Sequence, residues 1–318
     1  MACLTELAML AILTTCGRSS RQPYVFKLLD SSQSGSPFSR VHFISNTAVQ
    51  VTTDCSIFSF YPNYAEASLI VDGQYSQTLK CTSATPQIFF VDPGRGKTID
   101  IVSGTRFRAT PESSITGNTI QNVLGNAWAT TEAAKQLVVI YGDSIACGFG
   151  SDVPSRDAWT VLLRKNFEVG VEAWGSRQLT TDYDAGLDEL ILNFVSYGTP
   201  RVFWVAIGVN DFFYSENLTN FNVDYALLLD AIHSRFPGAR IFAQTPLSTV
   251  WEGPNVSGYT LGGFRNGISQ ACAERSFCHF VDGTSILSLS DLSPDGVHPT
   301  TAGNAKYESY VLTMLLRN

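Results

Sequence analysis

The sequence predicts an α/β domain, a doubly wound parallel sheet, preceded by an all-β domain of jelly-roll sandwich type. Two changes of pattern carry this reading. From about residue 133, continuous apolar runs alternate with segments whose apolar residues recur every three and four positions, as buried parallel strands and their crossover helices require. Before residue 126, short alternating runs are punctuated by Gly, Pro and Asp, with no convincing helix between them. A chain of 318 residues has room for two domains and for a core that needs no metal.

Taken in order, residues 1–22 stand outside the fold. Leu4–Leu13 is a short apolar run ending at Thr14-Thr15-Cys16-Gly17, but Glu6 interrupts it and no basic residue precedes Arg18. Two readings stand: a secretory or lipoprotein-type leader with Cys16 as its anchor, or a disordered tail. Residues 23–125 make the sandwich. Val49 and Val51 alternate with polar neighbours, and Ser68-Leu69-Ile70-Val71 runs into a hairpin signal at Asp72-Gly73. Gln87-Ile88-Phe89-Phe90-Val91 meets Asp92-Pro93-Gly94, and Lys97–Val102 alternates again. Residues 110–126, rich in Ser, Thr, Asn and Gly, read as the connection to a second domain at 126–318.

That second domain opens with the buried strand Leu137–Tyr141. Further runs follow at Arg201–Ile207, Ile241–Ala243 and Phe280-Val281. Helical spacing lies over Ala158–Phe167, Asp182–Val195, Val223–Phe236, Gly262–Arg275 and 301–316. In such a sheet, ligands bind beyond the carboxyl ends of the strands, and that is where chemistry is sought.

Composition removes some partners. Lys+Arg 21 against Asp+Glu 28 leaves a net charge of −7 with no basic cluster, which argues against nucleic acid. Charged residues are 15%, below the roughly 25% of an average soluble chain, as in many secreted proteins. No apolar stretch reaches 18 residues, so no membrane span is visible. Among seven cysteines there is no Cys-x-x-Cys pair, and nothing calls for a metal or a cofactor. Cys55 with Cys81, and Cys272 with Cys278, are candidate disulfides in an oxidising compartment; half-buried thiols are the equal alternative. Asn217-Leu218-Thr219 and Asn255-Val256-Ser257 are sequons that matter only in a eukaryotic secretory route. Oligomeric state is not legible.

Four short motifs fall at or beyond the strand ends. Gly142-Asp143-Ser144 follows the first strand and presents a serine at the start of an expected helix, where it is either an N-cap or a nucleophile. Position 146 is Ala, so this is not a Gly-x-Ser-x-Gly elbow. Gly175, beside Trp174, lets a backbone N–H approach a ligand. Gly208-Val209-Asn210-Asp211 places an amide that can donate to an oxyanion or merely cap a turn. Asp295-Gly296-Val297-His298 puts a carboxylate three residues before a loop histidine, within reach of its Nδ1–H.

Together and in this order, the motifs over about 133–318 resemble the SGNH (GDSL-type) hydrolase superfamily, whose sheet is flavodoxin-like. The resemblance implies Ser144 as nucleophile, His298 as general base and acid, and Asp295 as its orienting partner. It implies an oxyanion hole from the Ser144 N–H, the Gly175 N–H and the Asn210 side chain. A sandwich ahead of such a domain is similar to the family 2 carbohydrate esterases, which implies an O-acetylated oligo- or polysaccharide as substrate. Trp251, in the loop after Ile241–Ala243, and Trp174 are candidate sugar-stacking residues. Two alternatives remain, a broader lipid-ester or thioester hydrolase on the same fold and a glycan-binding protein without catalysis.

Overall fold

The structure is a computed structural model that describes residues 24–27, 40–45, 49–55, 67–80, 87–92, 97–102, 106–107, 116–125, 127–129, 135–196 and 198–317. The leader or tail at 1–22 lies outside them, as does Cys81 and with it the candidate pair to Cys55.

The N-terminal half forms two antiparallel five-stranded sheets. Its strands are β1 (Tyr24–Lys27), β2 (Arg40–Ser45), β3 (Val49–Cys55), β4 (Ala67–Val71), β5 (Gln74–Leu79), β6 (Gln87–Val91), β7 (Lys97–Val102), β8 (Arg106–Phe107), β9 (Thr116–Gly125) and β10 (Ala127–Ala129). One sheet runs β1-β9-β3-β6 with β8 on β9, the other β10-β2-β7-β4-β5. The hairpin expected at Asp72-Gly73 joins β4 to β5. The polar stretch expected to be a connection at 110–126 is instead largely β9, which pairs with both β1 and β3. Its Ser, Thr, Asn and Gly composition masks it, because ladder hydrogen bonds come from the backbone whatever the side chains. The antiparallel region accordingly extends past residue 125 to Ala129 in β10.

The second half is a five-stranded parallel sheet. Its strands are β11 (Leu137–Gly142), β12 (Glu168–Ala173), β13 (Val202–Ala206), β14 (Arg240–Gln244) and β15 (Cys278–Val281), in the order β12-β11-β13-β14-β15. Val138–Tyr141, Val202–Val205 and Ile241–Ala243 are wholly buried, which explains their unbroken apolar runs. The sequence reading did not identify β12. Glu168, Gly170 and Glu172 keep it from being a continuous apolar run like β11 and β13, although Val169, Val171 and Ala173 alternate with them in strand fashion.

The helices are α1 (Pro154–Asp157), α2 (Trp159–Leu162), α3 (Leu179–Ser196), α4 (Val209–Phe213), α5 (Leu218–Arg235), α6 (Leu261–Ala273) and α7 (Thr301–Arg317). The expected helix over 158–167 is α2 and a short 3-10 turn, with α1 just before it; Ala158, in extended backbone between α1 and α2, breaks the run. α3, α5 and α6 pack in one row and α2 against α7, where Trp159 stacks on Tyr307 at 4.4 Å. Cys272 and Cys278 form a disulfide joining the end of α6 to β15. Among the described residues no helix is long and apolar enough to cross a membrane.

This strand order reverses direction between β11 and β13. The crevice beyond their carboxyl ends is the topological switch point, where open α/β sheets bind ligands. Gly142-Asp143-Ser144 leaves β11 there, and Gly208-Val209-Asn210-Asp211 leaves β13.

Candidate active site

Ser144 lies two residues beyond the end of β11, but no helix starts at it. Residues 143–150 wind through consecutive turns, with the Cys147 N–H donating to the Asp143 carbonyl and the Phe149 N–H to that of Ser144. The helix expected here is absent because Gly148 and Gly150, both at positive φ, bend the chain before a second turn can form. Asp143 is buried and accepts the Ile145 N–H at 2.9 Å. Burial raises its pKa to about 6 in spite of that bond.

His298 arrives from the far end of the chain. The loop before α7 is pinned by a bridge between Leu292 and Pro299 and by the Ser293 N–H on the His298 carbonyl at 2.7 Å. This brings His298 Nε2 to 2.8 Å from Ser144 Oγ. On the other side of the ring, Nδ1 lies 2.7 Å from Asp295 Oδ2. Asp295 Oδ1 accepts the backbone N–H groups of Val297 and His298 at 2.8 and 2.9 Å. Partial burial favours the protonated form of Asp295, but the His298 ring and these two N–H groups outweigh it and hold the carboxyl well below its ordinary range. The three side chains therefore form one line, carboxylate to imidazole to hydroxyl. Such a line can take a proton from the hydroxyl and return it to a leaving group.

Asn210 sits in the first turn of α4 and donates from Nδ2 to the Arg177 carbonyl at 3.1 Å. That bond joins the loop after β13 to the loop after β12, which carries Gly175. Gly175 is buried, and Ser176 beside it has φ 60°. One buried ion cluster, around Arg177, and one buried carboxylate, Asp211, secure this junction, and neither role is expected from the sequence. Arg177, almost fully buried, bonds Asp182 and the carbonyl of Glu172, and its guanidinium lies 4.4 Å above the Tyr141 ring. Asp211 accepts the backbone N–H groups of Leu179 and Thr180 and the Thr180 hydroxyl, so it caps α3 from the first turn of α4. Burial pushes Asp211 up to about 6. Glu172 inside a buried strand, with an arginine five residues on, is the signal that points to the Arg177 cluster.

The two tryptophans part company. Trp174 is buried, and the Arg177 guanidinium covers its ring at 3.5 Å, so packing takes up a face that had been a candidate for sugar. Trp251 is 58% exposed, with Nε1 3.3 Å from the Asp295 carbonyl oxygen. Among the described residues no group of three or more His, Cys, Asp or Glu side chains is arranged to hold a metal.

Solved structures share this fold. The salicylyl-acyltransferase SsfX3 of a tetracycline biosynthetic pathway aligns with 15% identity and a TM-score of 0.70, over 90% of this chain and 83% of its own. A family two carbohydrate esterase from Clostridium thermocellum, solved with cellohexaose, aligns with 18% identity and a TM-score of 0.63, over 88% of this chain and 92% of its own. The acetyl xylan esterase Est2A from the rumen bacterium Butyrivibrio proteoclasticus gives 10% identity and a TM-score of 0.63, over 92% and 97%. At these identities the likeness is one of fold. No curated protein sequence matches the chain. The model of the GDSL-like lipase/acylhydrolase family matches residues 140–306, from within β11 into the second turn of α7. That span takes in Ser144, Asn210, Asp295 and His298, and the chain belongs to the GDSL-like lipase/acylhydrolase family of ester hydrolases.

Proposed function

We propose that this ester hydrolase is a serine esterase that removes acetyl groups from O-acetylated carbohydrate. The carrying observation is the hydrogen-bonded line Asp295–His298–Ser144 at the switch point of the sheet. His298 Nε2 takes the Ser144 proton as Oγ attacks the acetyl carbonyl, and the ionised Asp295 stabilises the imidazolium that forms. The tetrahedral oxyanion is met by the Ser144 and Gly175 N–H groups and by the second amide N–H of Asn210, each such donor being worth roughly 3–4 kcal/mol. Collapse expels the sugar hydroxyl, which His298 protonates. Water, deprotonated by His298, then releases acetate from Ser144. No step needs a metal or a cofactor.

Several features support a carbohydrate substrate. Exposed Trp251 offers an open aromatic face beside the Asp295 turn, suited to stacking on a sugar ring. The likeness to carbohydrate esterases covers most of this chain, and the two antiparallel sheets of the N-terminal half suit the jelly-roll sandwich expected at 23–125, extended by β10 to Ala129, ahead of the catalytic domain. The Cys272–Cys278 disulfide and the low charge fit a secreted or cell-surface enzyme. A second reading, a lipid-ester or thioester hydrolase, draws on Val250 and Val256, which stand exposed on the same loop as Trp251. A chain-length series of p-nitrophenyl esters separates them. Rates that fall beyond acetyl support the deacetylase, and a maximum at longer acyl chains overturns it in favour of the second reading.

A further inference from the structure

The segment from Pro246 to Thr260, between β14 and α6, has no regular secondary structure, yet it is tied down at both ends and in the middle. Arg265, on the second turn of α6, donates from Nε to the Pro246 carbonyl at 2.9 Å and from Nη2 to that of Leu247 at 2.5 Å. The same guanidinium grips Glu252 in a fork, Nη1 to Oε2 at 2.6 Å and Nη2 to Oε1 at 2.8 Å. Glu252 Oε1 turns back to accept the Thr249 N–H at 2.9 Å, and Thr249 Oγ1 accepts the Trp251 N–H at 3.1 Å. Hydrogen bonding to Arg265 holds the Glu252 carboxyl below its ordinary range in spite of partial burial.

The residues between these anchors meet the Asp295–His298 turn. The Val250 N–H donates to the Gly296 carbonyl at 3.0 Å, and Trp251 Nε1 to that of Asp295. Gly296 leaves room for this approach: a Cβ there would lie 2.1 Å from Val250 Cγ2. Farther along, Asn255 Nδ2 donates to the Phe212 carbonyl at the end of α4, the helix that carries Asn210. One loop thus links the Asn210 side of the site to the His298 side, and its Trp251 stands exposed.

We propose that Arg265 and Glu252 are positioning residues for substrate selection: they fix Trp251 beside the Asp295–His298 turn as the wall on which a sugar ring of the substrate stacks. This rests on the carbohydrate esterase reading above. Neither residue touches the reacting atoms. The planar guanidinium makes four hydrogen bonds at once, two of them as a fork on one carboxylate, and a lysine ammonium has only three donors and no fork.

The test measures kcat/KM on an acetylated xylo-oligosaccharide and on p-nitrophenyl acetate, in wild type, Arg265→Gln, Arg265→Lys, Glu252→Gln and Trp251→Ala. The readout is the ratio of the two constants. Arg265→Gln and Glu252→Gln lower that ratio by about three- to ten-fold, the range of one aromatic stacking contact. Combined with Trp251→Ala, either lowers it no further, because both act through the same ring. Arg265→Lys does not restore the ratio. Equal losses on both substrates, or full additivity with Trp251→Ala, overturn the proposal. Glu252 is partly exposed, so Glu252→Gln supplies a folded variant should the Arg265 changes not fold. Fluorine NMR of fluorotryptophan-labelled protein reads the wall without turnover. The Trp251 resonance, assigned by its loss in Trp251→Phe, shifts or broadens in Glu252→Gln; an unchanged resonance overturns the proposal. A wild type that hydrolyses neither ester sinks the esterase reading instead, and the resonance still decides whether the clamp holds Trp251.

Discussion

Asp295 holds His298 twice: Oδ2 lies 2.7 Å from the ring Nδ1, and Oδ1 accepts the His298 backbone N–H at 2.9 Å. One carboxylate thereby sets both the tautomer of the ring and the turn that aims it at Ser144. Asp295→Asn keeps an oxygen for the two backbone N–H groups but offers no ionised acceptor to Nδ1–H. Its kcat should fall by at least about ten-fold, yet by less than that of His298→Ala. Steady-state kinetics on p-nitrophenyl acetate compares the two. Equal losses would make Asp295 indispensable to the base, and no loss would remove it from the mechanism. Because its carboxyl stays ionised far into acid, loss of activity on mild acidification does not arise from Asp295.

Asn210 gives one amide N–H to the Arg177 carbonyl, which leaves a second that can donate to the proposed oxyanion. Asn210→Ala should lower kcat by about 10²- to 10³-fold with little change in KM, as expected of a donor used mainly in the transition state. A rise in KM at constant kcat would make Asn210 a ground-state binding residue.

Gly150 backs onto His298. Its φ is 85°, and an added Cβ would sit 2.6 Å from the Pro299 carbonyl oxygen and 2.9 Å from His298 Cβ. Gly150→Ala therefore strains the backbone and displaces the histidine loop. A stability loss of about 1–3 kcal/mol together with a reduced kcat is expected, measured by chemical denaturation and by turnover. Wild-type values of both would show that the loop has slack.

Asp211 titrates near 6 in the folded chain, above the roughly 3.9 of an unfolded aspartate. Between those values the folded state binds more protons than the unfolded one, so stability falls as pH rises from about 4 to about 6. Asp143 acts in the same sense. Asp211→Asn removes one of these titrations and should flatten the dependence of Tm on pH in that window. Parallel curves for the two proteins would contradict the raised value.

Ser144, Asn210, Asp295 and His298 were legible because each belongs to a short motif that follows an apolar strand or precedes a helix. Local order in the chain therefore states their place in the fold. β12 was not legible, since its buried Glu172 makes sense only beside Arg177. The helix expected at Ser144 failed for a related reason. A buried strand in an α/β sheet commonly runs into a helix, but here two glycines at positive φ close the chain into turns. Arg265 and Glu252 lie 13 residues apart, and their pairing depends on the path of a loop that no periodicity describes.

The most direct test measures acetate release from acetylated xylan and from p-nitrophenyl acetate by wild type and by Ser144→Ala. Release from both by wild type is expected, with the variant folded and its turnover down by at least about a thousand-fold. Undiminished release by Ser144→Ala would remove Ser144 from the mechanism. Release from the small ester alone would keep the serine esterase and contradict the carbohydrate substrate.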